Sequence, residues 1–577
     1  MNKDFRSRLF WIIALLCFLS LFLFLGQSNF HTRGEPREAL VAMAMLEDGN
    51  WTLPITNGTD IAYKPPLFHW AIATISKVVG EVNEYTSRMP SSIALAAMIL
   101  VGFIFYAKRR GKKLAFLASL ITLTNFEVHR AGVNCRVDML LSALMVLALY
   151  ALFRWTERNM KGIPWWGILC LSGAFLTKGP VGVVLPCAVV AVFAWIRNMG
   201  FLRICICYIG VVLAACVLPS LWYIAAWKVG GDQFLTLVIE ENVLRFLGKM
   251  TYASHENPWP YNVMTVITGF VPYTILLIMS LFTLKYTRIS SKPKEWWNKL
   301  VTYIKQMDDT RLFSLLSIVI MFVFYCIPKS KRSVYLLPIY PFIAYFIAEY
   351  IIYLVKNKPQ SVRWYNATVC TLGIILTAVF IIARCGLVPH SFFEGKRAAE
   401  NLAYLNALET LPLSLGNLIV ILTPLAIAIL YLRRPNWIHS NIQKRLTLCG
   451  PIMAFALFFA LDGVYQPAVL NVKSNKPIAE RVQALAPEGN VYSYITLMAE
   501  GNRLHPFTLN FYLDNRVVPF IDFAPTEGYL FLGDKEYEGF MEKYGKTFII
   551  EQLPESRFKS NDNRDWMNIY HFKKAEQ

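Results

Sequence analysis

Charge is scarce in this sequence. Asp, Glu, Lys and Arg make up 16% of the 577 residues, against 55% hydrophobic ones, and that balance excludes an ordinary soluble domain, in which about a quarter of residues are charged. Glycine-rich phosphate loops are missing too: no G-x-x-x-x-G-K-[ST] or G-x-G-x-x-G stretch occurs, which argues against a nucleotide sugar used on the cytoplasmic side. The eleven cysteines are scattered, most of them in apolar runs as at Cys17, Cys170, Cys187 and Cys216, so neither a disulfide framework nor a zinc site is expected from their spacing. No internal repeat is evident, which weakens a transporter built from inverted halves.

Long apolar runs are what the chain has in quantity. The first, Leu9 to Gly26, holds about 18 residues, enough at ~1.5 Å per residue to cross most of a ~30 Å hydrocarbon core. It is followed by "GQSNFHTR", not by small residues suited to cleavage, so it reads as a retained span. Further candidates lie near 88–106, 114–128, 138–155, 163–177, 180–196, 202–224, 261–283, 312–328, 333–354, 365–383, 413–432 and 447–464, for about thirteen in all. Lys and Arg gather in alternate connections, in "MNKDFRSR", "AKRRGKK", "RWTERNMKG", "KYTRISSKPKEWWNKLVTYIKQ", "KNKPQSVR" and "RRPNWIHSNIQKR", which assigns those to the cytoplasmic side. An odd number of spans starting inside leaves the tail outside. The net charge of +19 is largely this topological bias, and nucleic-acid binding is not expected from it. The expected architecture is a polytopic α-helical membrane protein of about thirteen spans over residues 1–466, with a small extracytoplasmic α/β domain at 467–577.

Outside the membrane, the segments 27–87 and 225–260 are long. In the first, Pro36 suits an opening helical position and places Glu35 at the N-cap, with Gly49 ending the helix; a second helix starts at Pro65 or Pro66 and stops at Gly80. In the tail, "GNVYSYIT", "FTLNFYLD", "GYLFLGD" and "KTFIIEQ" alternate like strands, while "PIAERVQALA" and "KEYEGFMEKYG" have helical spacing.

A set of cations breaks the positive-inside pattern. The short outer connections "HRAGVNCRVD", "TKGP" and "PKSKRS" hold Arg130, Arg136, Lys178, Lys329, Lys331 and Arg332. Cations between spans on that side point to a pocket for an anionic lipid head group, phosphate or pyrophosphate; the competing reading is snorkelling to ordinary phospholipid. Beside them stand two carboxylates, Glu35 and Asp138, able to serve as general base or to hold a divalent cation. Their bland alternatives are a helix cap or a pair with Arg33 or Arg37 for Glu35, and a pair with Arg136 for Asp138. His255, beside Glu256 and near Trp259 and Tyr261, is a metal-ligand or sugar-contact candidate within what otherwise reads as an interfacial aromatic belt.

The motifs "GEPREA", "YKPPLFHW", "RAGVNCRVDMLLSA", "FLTKGPVG", "HENPWPYN" and "KSKRSVYLLPIYP" follow one another in this order. Together they resemble the lipid-linked-sugar glycosyltransferases of the GT-C superfamily, nearest the bacterial aminoarabinose (lipid A) transferases and the related protein O-mannosyltransferases. The resemblance runs to about residue 345. It implies transfer of a sugar from a polyprenyl-phosphate donor, on the outer face of the bacterial inner membrane, to an acceptor such as lipid A. A protein or glycan acceptor, or a non-enzymatic lipid-linked-sugar transporter, are the alternatives. Relatives carry an acidic pair where Gly34 and Glu35 stand here, so the resemblance passes the catalytic role to Glu35, with Asp138 beside it. It also implies that Arg37, Lys64, Arg136, Lys178, Arg245, Lys329, Lys331 and Tyr335 line the phosphate or sugar pocket. Tyr63 precedes Lys64 where an acid is usual, so the chain departs from the metal site that this acid and His255 would form in the resemblance.

Overall fold

In the computed structural model of the chain, residues 8–247, 249, 255–284, 293–395, 397–433, 442–499 and 502–575 are described. Four stretches used in the sequence reading, 1–7, 250–254, 285–292 and 434–441, lie outside them. The chain divides into two compact units: Met1–Phe24, Ser91–Leu221 and His255–Gln466 form one, Leu25–Pro90, Trp222–Ser254 and Pro467–Gln577 the other.

The first unit is helical. Each expected apolar segment coincides with a helix, but among the described residues only eight helices are long and apolar enough to cross a membrane, or nine if the bent pair Tyr261–Gly269 and Tyr273–Leu281 is one span. The expected count of thirteen is not reproduced because four segments form shorter helices: Arg8–Leu21, Lys112–Leu123, Trp165–Lys178 and Val181–Ile196 have 14, 12, 14 and 16 residues. Twelve residues reach only ~18 Å. Local chemistry sets the breaks. Gly111, at φ +89°, separates Glu84–Arg110 from Lys112–Leu123, and Gly179, at φ +92°, precedes Pro180 between the next short pair; such φ values favour glycine. Asn125 opens Phe126–Gly132 by accepting from Val128 N at 3.1 Å.

Burial separates central from peripheral helices. In Val137–Glu157, 72% of the apolar window is buried, against 22% in Phe201–Leu244, whose Ile206 and Leu213 are exposed. An outward apolar surface of that kind suits lipid. Hydroxyls inside the bundle find partners, as Tyr106 does with Ser314 at 2.9 Å and Thr156 with Tyr208 at 2.6 Å, since hydrocarbon offers no water to satisfy them.

The second unit gathers the first outer loop, residues 222–254 and the tail. This departs from the simple boundary expected at 466. The reason is a shared core: Phe30, Leu40 and Met43 pack with Phe507 and Phe511. A short hairpin, β1 (Ile55–Thr56) with β2 (Asp60–Ile61), links the helices Pro36–Glu47 and Leu67–Val79. The latter ends at Gly80 in the left-handed region, as expected of a C-cap glycine. In the tail, β3 (Val491–Tyr494), β4 (Met498–Ala499), β5 (Asn502–Arg503), β6 (Val517–Pro519), β7 (Glu527–Gly533), β8 (Phe548–Gln552), β9 (Phe558–Ser560) and β10 (Asp565–Lys574) follow. The main sheet has the order β6-β3-β7-β10-β8, with β9 also on β10. Alternation along β7 sends Phe531 to one core and Leu530 and Leu532 to the other.

One expected strand is a helix. "FTLNFYLD" alternates apolar and polar residues, yet Phe507–Tyr512 is helical and its first five residues are all buried. The polar members are absorbed by hydrogen bonds: Asp562 accepts from Thr508 N at 2.7 Å and Asn510 Oδ1 accepts from Val517 N at 2.8 Å. Period-two alternation fails as a strand signal when both faces of the segment are buried.

Candidate active site

In the second unit, Glu35 occupies the N-cap position that Pro36 defines, but its side chain makes no cap bond. Arg88, which the sequence reading did not name, pairs with it, donating from Nε to Oε1 at 2.8 Å and from Nη2 to Oε2 at 3.1 Å. Arg88 Nη1 donates to the carbonyls of Leu25 at 2.9 Å and Ser28 at 2.7 Å, and its guanidinium lies 5.1 Å from the Phe30 ring centre. Both side chains are almost entirely buried. The planar fork of Arg fits a carboxylate edge to edge, which makes this a rigid, closed pair.

One turn further on, Glu38 is buried in a different setting. Its Oε1 accepts from Lys64 Nζ at 2.8 Å and from Arg37 Nη2 at 3.1 Å, and its Oε2 accepts from His69 Nε2 at 2.8 Å. Burial alone pushes the Glu38 carboxyl up, but Lys64, Arg37 and His69 together hold it well below the usual carboxylate range. Burial, with the Arg37 guanidinium, lowers the Lys64 ammonium against the pull of Glu38. His69 is 1% exposed, whereas the side chains of Lys64 and Arg37 are 34% and 37% exposed. The cluster therefore has a buried anionic centre and an accessible cationic face. Tyr63, whose hydroxyl burial pushes up, and the Glu241–Arg245 pair complete its surroundings.

In the first unit, Asp138 stands in the opening turn of Val137–Glu157 and pairs with Lys178, the last residue of Trp165–Lys178. The expected pair with Arg136 is replaced by this one, although the charges of Arg332 and Arg136 still act on Asp138. Lys178 Nζ lies 4.4 Å from the ring centre of Tyr335, which in turn lies 5.8 Å from Tyr325. An ammonium at that range over an aromatic face is attracted by about 0.5–2 kcal/mol.

The "HENP" and "PKSKRS" stretches come together in the same unit. Glu256 and Ser330 form an isolated antiparallel bridge, Lys331 N donates to His255 O at 3.0 Å, and Asn257 Nδ2 donates to the Lys331 carbonyl at 3.0 Å. Lys331 is buried and its Nζ donates to the Asn257 carbonyl at 3.2 Å, so it braces the two stretches, while Lys329 stays exposed. Arg136 is half-buried and its backbone exchanges hydrogen bonds with Ser91.

The structure thus brings Asp138, Lys178 and Tyr335 together in one unit and Arg37, Lys64 and Arg245 near one another in the other. Glu38, His69 and Arg88 were not singled out by spacing, although Glu38 and His69 lie inside the motifs "GEPREA" and "YKPPLFHW". The available signal was the presence of an acid and an imidazole among cations. Among the described residues, no three His, Cys, Asp or Glu side chains are placed to hold a metal ion. The carboxylate of Glu38 is taken by Arg37, Lys64 and His69, a donor set that does not suit a divalent cation. His255 adopts a left-handed backbone, φ +49°, within the Lys331 bridge.

Comparison with known proteins places this geometry. Residues 63–223 match the dolichyl-phosphate-mannose-protein mannosyltransferase family. Over nearly the whole length, 98% of both chains, the structure superposes on that of ArnT from Cupriavidus metallidurans bound to undecaprenyl phosphate, with a TM-score of 0.66 and 17% identity. The chain shares the fold of that protein. In sequence, the chain is 26% identical over 388 residues to the undecaprenyl phosphate-alpha-4-amino-4-deoxy-L-arabinose arabinosyl transferase of Shewanella sediminis, covering 66% of each chain. It is 28% identical over 385 residues to one of the Proteus mirabilis enzymes of that name, covering 64% of each. The aligned part thus spans about two thirds, or slightly less, of these transferases.

Proposed function

We propose that this GT-C-type membrane glycosyltransferase takes a sugar from a polyprenyl-phosphate carrier on the outer face of the bacterial inner membrane and passes it to an envelope acceptor, foremost lipid A. The observation that carries the reading is the Asp138–Lys178–Tyr335 group: a cation held at the mouth of a span, between a carboxylate and an aromatic face. Its setting suits a lipid-borne phosphate, and the likeness to transferases that use undecaprenyl phosphate-linked aminoarabinose supports the same donor class.

In this reading the donor's sugar–phosphate bond breaks while the acceptor oxygen attacks the anomeric carbon. Negative charge grows on the departing phosphate, and fixed cations there lower the barrier more than they stabilise the ground state. Lys178 supplies one such charge; Asp138 orients it, and the half-buried Arg136 and exposed Lys329 add to the field. A phosphate acceptor, as on lipid A, is already nucleophilic and needs little help from a base. Glu35, with Arg88 across both oxygens, then acts by fixing the start of the helix that carries Arg37 and Glu38. A protein hydroxyl is the second acceptor reading, favoured by the match of residues 63–223 to the protein mannosyltransferases.

Mass spectrometry of lipid A from cells with and without the intact chain tests the proposal. Loss of a sugar-sized increment on deletion, restored by the wild-type chain but not by Lys178→Met, supports lipid A as acceptor. An unchanged lipid A profile together with loss of glycosylated envelope proteins would move the acceptor to protein.

A further inference from the structure

Two cations share one oxygen atom in the Glu38 cluster. Lys64 Nζ and Arg37 Nη2 both donate to Glu38 Oε1, at 2.8 and 3.1 Å, so the two nitrogens lie within about 6 Å of each other, where like charges repel. The carboxylate between them makes that proximity tolerable. On the opposite side Glu38 Oε2 is held by His69 Nε2, and His69 Nδ1 is buried with no hydrogen-bond partner among the described residues. Nε2 is thus the ring nitrogen through which His69 holds Glu38. Arg37 and Lys64 present their cationic groups on side chains about one third exposed. One phosphate group can engage both cations, with an oxygen on each.

We propose that Glu38 and His69 are positioning residues: Glu38 keeps Arg37 and Lys64 side by side as a clamp for a lipid-borne phosphate, and His69 holds Glu38 in place. This rests on the polyprenyl-phosphate reading above and deepens it. Neither residue touches the phosphate; each acts through the cations. His69 is fixed on Leu67–Val79 and Glu38 on Pro36–Glu47, so the clamp ties the two first-loop helices to a single geometry.

The test uses the purified full-length protein in nanodiscs, with undecaprenyl phosphate as probe and thermal melting in parallel. Glu38→Gln keeps the shape but loses the charge that holds two ammonium-type donors together, and its affinity for the probe is expected to fall tenfold or more. His69→Leu is expected to weaken binding several-fold, and His69→Gln, whose amide can donate from the Nε2 position, to recover to within about threefold of wild type. A purely structural role would lower the melting temperature of Glu38→Gln and His69→Leu while the folded protein bound normally. Folded variants that bind the probe as tightly as wild type would therefore overturn the clamp. If Glu38→Gln does not fold, the His69→Leu and His69→Gln pair decides by the same criterion. Failure of the wild-type protein itself to bind undecaprenyl phosphate would overturn the donor reading first, and the clamp with it.

Discussion

Glu35 and Glu38 lie one helical turn apart, are equally buried at 4% exposure, and do different things. Glu35 meets the Arg88 guanidinium, which is itself sealed, with its spare donor spent on the Leu25 and Ser28 carbonyls. Glu38 faces three groups, two of which keep an open side. A closed pair can only hold structure, whereas an open one also offers charge to a ligand. Asp562 is the control: a buried carboxylate in the same unit, with one oxygen accepting from Thr508 N at 2.7 Å and the other without a hydrogen-bond partner among the described residues. Burial outweighs the bonds from Thr508 and the pull of Arg33 and pushes its carboxyl up to about 6. Burial is common to all three; the cations decide which is ionised and which is available.

The largest expected effect comes from opening the closed pair. Arg88→Met removes the bidentate Arg88 partner from a buried Glu35 and should cost about 3–5 kcal/mol of stability, read as a lower melting temperature. A variant that melts like wild type breaks the distinction between closed and open pairs.

Asp562→Asn should act in the opposite direction. A raised folded pKa means the folded state holds the proton more tightly, so the penalty builds as pH rises past the unfolded value of 3.8 towards about 6 and is complete above that. At pH 7–8 the substitution is expected to stabilise by up to about 3 kcal/mol, vanishing below about pH 4. Glu38 has the reverse sign: its pKa is depressed, so its contribution is present above the ordinary carboxylate pKa and fades as pH falls through the folded value. The melting difference between wild type and Glu38→Gln should therefore be widest near neutrality and close in acid, and a difference that widens on acidification would contradict the assignment.

Smaller effects test the first unit. Lys178→Met should lower transfer about 10- to 100-fold, equivalent to roughly 1.4–2.8 kcal/mol of transition-state stabilisation, measured as turnover with donor in excess. Tyr335→Leu removes only the aromatic face beneath Lys178, worth about 1 kcal/mol, and is expected to weaken undecaprenyl phosphate binding roughly fivefold with little change in melting.

Much of the fold was legible because hydrocarbon imposes a simple rule. A run of apolar residues must be helical in lipid, and each expected run coincides with a helix. Their lengths were less legible, since Gly111 and the Gly179–Pro180 step break helices by backbone conformation, which a hydropathy window averages away. In the tail, the strands at Val491–Tyr494, Glu527–Gly533 and Phe548–Gln552 kept their alternation, while Phe507–Tyr512 did not become a strand because polar Thr508 and Asn510 are buried too.

For the candidate site, the order of motifs pointed to the right neighbourhoods but to few of the right partners. Asp138 was expected beside Arg136, two residues away, and pairs with Lys178, 40 residues on; Glu35 pairs with Arg88, 53 residues on, which no local spacing indicated. Sequence by itself determined what must be buried, what must be helical and where charge is costly enough to need a reason, because those follow from local composition and the solvent. Which charge meets which, and whether the resulting pair is sealed or open, was decided only by tertiary structure, because electrostatic energy depends on distance and desolvation in three dimensions.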